Sequence, residues 1–246
     1  MEWKDEGIII GTRKHGETSL IVEIMTRGHG RHLGIVRGGR SRKKQPFMQP
    51  GNSVEASWRA RLDEHLGTWS LEATELRTAD LMETPIGVFG IQLLASHLRL
   101  IPERDVHEHL HEALEVILSH LQEASIAAVL MIKFELALLD DLGFGLDLTK
   151  CAVTGKVDGL SHVSPKTGRA VCLEAATPWL DKLLVLPTFL ANDKYEKHPT
   201  LEEINEGFTL LGYFLDRHVY QPRGLASPMD RASFIKAITK QLGNQV

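Results

Sequence analysis

Residues 19–44 read SLIVEIMTRGHGRHLGIVRGGRSRKK. Leu20, Val22 and Ile24 alternate with other residues over Ser19–Thr26, which is the period of a strand with one buried face. Arg27-Gly28-His29-Gly30 places glycines where the chain can take positive φ, so a tight hairpin is expected. Arg31–Arg37 is then the partner strand. Working outward, Gly7–Arg13 is a strand around Ile8, Ile9 and Ile10, and Lys14-His15-Gly16-Glu17 is a turn. Gly38–Gly51 is a long loop with two prolines. Asn52–Leu62 alternates, with Val54, Ala56, Trp58 and Ala60 on one face. Gly67–Arg77 alternates too, through Trp69, Leu71 and Ala73. Five short strands between residues 7 and 77 predict a small antiparallel barrel. The five-stranded oligonucleotide-binding (OB) type fits, and an SH3-like barrel fits the pattern nearly as well.

The same stretch is the charge centre of the chain. Arg27, Arg31, Arg37, Arg40, Arg42, Lys43 and Lys44 lie within it, and no Asp or Glu occurs between Glu23 and Glu55. The whole chain has 28 basic and 32 acidic residues; without these seven cations it has 21 against 32, a net of −11. Positive charge gathered this way attracts a polyanion, and nucleic acid is the commonest one inside cells. Arg59 and Arg61 share the solvent side of their strand if Trp58 points inward, and they extend the patch. Aromatics are scarce here, Phe47 being the nearest. Phosphate contacts should therefore dominate base stacking, giving little sequence preference and strong salt dependence. The rival reading is a non-catalytic adaptor whose basic barrel binds acidic protein tails.

After Asp80 the hydrophobic period changes to that of helices. Val88, Ile91, Leu94, Ala95 and Leu98 make one stripe. Val106, Leu110, Leu114, Ile117 and Leu121 make the next, with Asp105 as its expected cap and Glu108 three residues on. The segment from Ser125 to about Leu142 is apolar nearly all round and belongs inside a bundle. A helix is expected near Pro178–Leu186. Another follows the capping box of Thr200 and Glu203, and a last one runs to about Leu242 behind a Ser227 cap with Pro228 at its first position. The fold class is thus α+β with two domains: a barrel over 1–80 and a helical domain over 81–246.

Several chemistries are excluded or weak. No apolar run is long enough to span a bilayer, and MEWKDEG lacks a signal peptide's apolar core, so a cytoplasmic, nucleoid-associated protein is expected. Two cysteines, Cys151 and Cys172, make no disulfide framework. They resemble half of a zinc ribbon over about 146–176. A zinc site wants two C-x₂-C pairs, and the completing positions hold Thr154 and Ala175, with His162 and Asp158 between. We read a degenerate, metal-free remnant and expect no cofactor. His107-Glu108-x-x-His111 meets the spacing of a zinc-protease helix. The Leu110/Leu114 stripe, however, leaves these histidines on outer faces, where solvated side chains are expected. No P-loop and no G-x-S-x-G motif occurs. The chain reads as a binder, with no catalytic residues.

In combination these features resemble the bacterial DNA repair family RecO. The resemblance rests on Ile21–Arg42, on Gln45-Pro46-Phe47 with Gly51, on Phe134, Glu135, Leu138, Leu139, Leu142, Gly143 and Phe144 leading to Cys151, and on LASPMDRASF at Leu225–Phe234. It implies an OB barrel joined to a helical domain, often with a four-cysteine zinc module, of which only Cys151 and Cys172 match here. It further implies a recombination mediator that binds single- and double-stranded DNA and anneals complementary strands. Such a protein assists RecA loading on DNA coated by single-stranded DNA-binding protein (SSB). The implied partners are RecR, the acidic SSB C-terminal tail, RecA and, in some pathways, RecF.

Overall fold

The computed structural model describes residues 1–62, 64–191 and 198–244. The chain divides into two compact units, Met1–Gln122 and Glu123–Val246. In the first, strands β1 (Glu2–His15), β2 (Ser19–Thr26), β3 (Gly30–Val36), β4 (Ser53–Arg59) and β5 (Thr68–Glu75) form a closed barrel in the order β1-β2-β3-β5-β4. All pairings are antiparallel except the β3–β5 closure at Ile35 and Thr68. This order is that of the OB barrel and removes the SH3-like alternative.

β1 is longer than its apolar pattern predicts. Its first half pairs with β4, from Glu2 opposite Arg59 to Ile8 opposite Ser53, and its second half pairs with β2. The charged residues Glu2, Lys4 and Glu6 stand on its exposed side, so hydrophobicity gave no signal there. The barrel interior is Ile9, Val22, Ile24, Val36, Met48, Val54, Ala56, Trp58 and Trp69. Both tryptophans spend their indole N–H inside: Trp58 on the Leu66 carbonyl at 3.2 Å and Trp69 on that of Val22 at 3.1 Å.

The alternate residues Ile8, Ile10, Ile21 and Met25 are also buried. They need a second cover, and α2 (Pro85–Leu98) packs against β1. That packing keeps α1 (Thr78–Leu81), α2 and α3 (Glu108–His120) in one compact unit with the barrel, beyond the expected boundary at 80. Thr84 caps α2, accepting from the Gly87 amide, with Pro85 at the first helical position.

Asp105 does not cap α3. Arg104 takes φ +67, the helix begins only after His107, and the Asp105 carboxylate lies 3.3 Å from His107 Nε2. The β2–β3 hairpin turns as expected at Gly30, φ +68. Any side chain there would also collide, since a Cβ would sit 2.0 Å from the Asp105 carbonyl oxygen.

The second unit is built on α4 (Ala124–Asp141), α7 (Leu201–Leu215) and α8 (Met229–Gly243), with α4 packed on both others. Between them lie β6 (Leu160–Val163), β7 (Ala170–Cys172) and β8 (Leu184–Val185), a sheet of order β7-β6-β8, and the short helices α5 (Leu173–Ala176) and α6 (Thr188–Ala191). The helix expected at Pro178–Leu186 is instead one 3₁₀ stretch, Thr177–Lys182, followed by β8. Its two leucines next to Val185 satisfy a strand as well as a helix, and β8 finds a partner in β6. Thr200 and Glu203 form the predicted capping box. At α8 the cap position falls on Pro228, without a side-chain bond from Ser227.

One ion pair crosses this apolar interior. Glu135 on α4 is fully buried and receives both Arg231 Nε and Nη2 at 2.8 Å. Arg231 Nη2 also donates to the Phe208 carbonyl on α7 at 2.7 Å, so one guanidinium joins three helices. Gly212 makes the room: a Cβ there would meet Arg231 Nη1 at 2.8 Å.

Removing one partner of a buried pair strands the other charge. Arg231→Ala should lower the protection of α4 amides against hydrogen exchange by about 3–5 kcal/mol. The double variant Glu135→Leu/Arg231→Met should recover most of that loss. Equal protection in Arg231→Ala and wild type would show the pair to be dispensable.

Candidate nucleic-acid interface

The fold sorts the cations of the basic stretch into two classes. Arg27, at the β2–β3 turn, is bonded to Glu108 and Glu112 on α3, each at 2.8 Å. Those carboxylates raise the Arg27 pKa, the hydrogen bond Arg27 donates to Glu108 most of all. Arg31 is 11% exposed; it donates to Glu23 at 2.8 Å and to the Ile101 carbonyl at 3.0 Å, with Glu103 at 3.8 Å. Arg99, at the end of α2, grips the same Glu23 carboxylate at 2.7 and 2.9 Å. Arg27 and Arg31 therefore belong to the internal ion pairs of this unit. Sequence grouped them with the loop because no spacing rule pairs Arg27 with Glu108, 81 positions on, or Arg31 with Glu23, 8 positions back.

The second class is free of carboxylates. Arg37, Arg40, Arg42 and Lys43 are exposed and Lys44 is half-buried, and none of them pairs with an acid among the described residues. Two of the five hold the loop in shape. Arg40 donates from Nη1 to the carbonyls of Gly16 and Glu17, at 3.2 and 2.5 Å, and its amide bonds Thr18 at 3.0 Å. Lys44 Nζ reaches the Arg37 carbonyl at 3.3 Å. Arg37, Arg42 and Lys43 have their cationic ends open to solvent.

Strand register shows what stands beside this loop. It leaves the barrel after Val36, which faces Leu20, which in turn faces Lys14. On the other side Ile35 faces Thr68, which faces Arg59. Lys14 and Arg59 thus each lie two strand spacings, about 10 Å, from the end of β3. Arg59 is 76% exposed, with Glu2 at 3.8 Å its one acidic neighbour among the described residues; Arg61 is exposed as well. Lys14 escaped the sequence reading. Its one signal was a lysine beside a turn, which gains meaning only through the register.

Much of the outer face of β1 and β2 is covered from within the unit. Ile8, Ile10, Ile21 and Met25 are buried there, and Arg99 reaches the Ile10 carbonyl as well as Glu23. Phe47 packs against the barrel core and is not displayed for stacking. What remains is a rim of flexible cations, suited to phosphates more than to bases.

The remaining candidates take other places. His107 precedes α3, Glu108 is engaged by Arg27, and the ring of His111 is buried. The outer-face expectation fails for His111, because α3 buries a wider stripe that includes Leu110, His111, Leu114, Ile117 and Leu118. Both His111 ring nitrogens lack a hydrogen-bond partner among the described residues. Cys151 and Cys172 are buried neighbours, with the Cys172 amide 3.3 Å from Cys151 Sγ. His162 lies opposite Val171 and Val185, its Nδ1 2.9 Å from Ser161 Oγ.

Family models match both parts of the chain: "Recombination protein O N terminal" over residues 1–77 and "Recombination protein O C terminal" over 93–225. Proteins named DNA repair protein RecO are similar over nearly the full length. That of Mesorhizobium japonicum is 57% identical over 241 residues, covering 98% of this chain and 94% of the relative. That of Chelativorans sp. is 57% identical over 244 residues, covering 98% and 97%. That of Brucella abortus is 53% identical over 242 residues, covering 98% of each.

Burial holds the His111 imidazole below the usual histidine value; Arg27 lowers it further, while Glu115, Asp5 and Glu6 act in the opposite direction. The unfolded chain therefore takes up this proton first, and the barrel unit should lose stability as pH falls below about 6.5. Amide exchange of α3 followed from about pH 7.5 to 5.5 should show this loss, and His111→Phe should reduce it. An identical pH profile in the variant would refute the assignment.

Proposed function

This chain belongs to the RecO family of DNA repair proteins, and from that premise we propose that it is a non-catalytic recombination mediator that binds DNA through the loop-bearing rim of its barrel. The observation that carries the reading is the sorting of charge. The exposed loop cations lack acidic partners among the described residues, whereas Arg27 and Arg31 are neutralised within the unit.

Arg37, Arg42 and Lys43 take phosphates directly. Arg40 holds the loop against the β1–β2 turn, Lys44 braces it internally on the Arg37 carbonyl, and both add charge. Lys14, Arg59 and Arg61 extend the track. Binding releases counterions from the polynucleotide, which makes affinity fall steeply with salt. Single and double strands are both accepted, since neither bases nor groove edges are read. Annealing follows because strands neutralised on one surface no longer repel each other. In the cell the same surface works with RecR to help RecA replace SSB, whose acidic C-terminal tail binds the helical domain; RecF joins in some pathways.

With about five phosphates engaged, log affinity against log salt should have a slope of about −3.5 for a single strand. The triple variant Arg37→Ala/Arg42→Ala/Lys43→Ala should flatten it to about −1.5 and slow the annealing of SSB-coated oligonucleotides. Arg27→Ala should leave the slope nearly unchanged. Equal slopes for the triple variant and wild type would overturn the assignment. Displacement of oligonucleotide by an acidic peptide of equal charge would favour the adaptor reading.

A further inference from the structure

We propose that Cys151 and Cys172 form an oxidisable dithiol: a modification site for peroxides that closes to an intramolecular disulfide in the second unit. Their surroundings first have to be tested against zinc, which the family resemblance implies. Tetrahedral zinc takes four donors from thiolates, imidazoles or carboxylates. The position three residues after Cys151 holds Thr154, whose hydroxyl lies 3.5 Å from Cys172 Sγ. The position three residues after Cys172 is Ala175, which has no donor. No His, Asp or Glu among the described residues joins both sulfurs in a set of three donors within 4.8 Å. The donor set does not fit the metal.

What the site does hold is a cradle for a thiolate. Cys151 Sγ accepts from the Thr154 amide at 3.4 Å and from the Cys172 amide at 3.3 Å. Thr154 touches both cysteines, through its amide to one sulfur and its hydroxyl to the other, which places the two sulfurs side by side. Burial pushes the Cys151 thiol up, yet hydrogen bonds from the Thr154 side chain and from the Cys172, Thr154 and Val153 amides outweigh it and pull the thiol down to about 6. The Lys156 ammonium is raised by Glu174 first, and further by both cysteines. Both cysteines are buried, at 2% and 3%, while Val153 and Val157 on the intervening turn are 72% and 65% exposed. A thiolate stabilised by amides beside a second thiol has the donor arrangement of a peroxide-reactive cysteine with its resolving partner.

The chemistry balances with hydrogen peroxide as the oxidant. The Cys151 thiolate attacks one peroxide oxygen, the O–O bond breaks, and the departing hydroxide takes a proton to become water; Cys151 becomes a sulfenic acid. The Cys172 thiol then attacks that sulfur. The S–S bond forms, the S–O bond breaks, and the hydroxyl leaves as a second water with the Cys172 proton. Two electrons pass from the sulfur pair to the peroxide. The bond joins residues 21 positions apart, tying the turn ahead of β6 to the end of β7. The proposal is independent of where DNA binds.

The test uses the full chain, purified under reducing conditions, exposed to hydrogen peroxide, denatured and alkylated. Wild type should lose both alkylatable thiols together. The tryptic peptides Cys151–Lys156 and Ala170–Lys182 should appear linked, lighter by two hydrogens, in monomeric protein, and dithiothreitol should restore both thiols. In Cys172→Ala, Cys151 should stop at the sulfenic acid and be trapped by dimedone. Thr154→Val should react several-fold more slowly than wild type. Two thiols still free after peroxide, a sulfinic acid at Cys151 with Cys172 untouched, or a stoichiometric metal in the purified protein would each overturn the proposal.

Discussion

Glu23 is the constraint on which the barrel unit turns. Its side chain is 11% exposed on β2, and a charge so placed must be paired or it costs several kcal/mol. Arg31 from β3 and Arg99 from the end of α2 supply the pairing at 2.7–2.9 Å. The pair from α2 pins that helix over β1 and β2, where Ile8, Ile10, Ile21 and Met25 need cover. With α2 packed there, the loop cations Arg37, Arg42 and Lys43 stand at the rim where the β3–β4 loop emerges, without an acidic partner among the described residues. The placement of the exposed loop cations thus follows in part from how one buried acid is satisfied.

The hairpin between β2 and β3 shows the same economy of anchoring. Asp5 on β1 accepts from the Gly28 amide and faces His29 Nδ1, both at 2.8 Å. His29 stacks on Trp3 with ring centres 3.9 Å apart. Arg27 is carried by this turn to Glu108 and Glu112. The turn is therefore held from two sides by strand and helix, while the longer loop after β3 is held by Met48 in the barrel core, by the Asn52 side chain, and by Arg40 and Lys44 through carbonyl groups. Carbonyls tether a guanidinium without cancelling its charge, which lets Arg40 serve shape and field together.

The second unit solves a related problem with different groups. Helix α4 is apolar on almost every side, and its one buried acid, Glu135, is matched by a two-pronged contact from Arg231. A rigid fork of this kind fixes the relative rotation of helices that hydrophobic packing alone would leave free to slide. Near the small sheet, Thr154 and the backbone amides stand around Cys151 and Cys172 where a metal module would have further ligands. The local turn persists because its amides point at sulfur.

Much of this was legible in the sequence. The period-two runs marked β2 with its stated ends, the core residues of β4 and Trp69 of β5, though Ala73 of the same run is exposed, since alternation is a property of the extended backbone and burial is not. Gly30 announced the hairpin, the all-apolar run announced α4, and Thr200 with Glu203 announced the start of α7. These signals are local, and local geometry is what neighbouring residues control. The first half of β1 was hidden because its outward side chains are charged, and His111 was misplaced because a stripe one residue wider looks the same from composition. The fates of Arg27, Arg31 and Arg231 could not be read at all. Their partners lie 81, 8 and 96 positions away, and no spacing rule says which acid a cation will meet. By itself the sequence determined the strands, the helices and the amount of charge; only the folded chain decided which charges cancel and which face the solvent, because that depends on distances the fold creates.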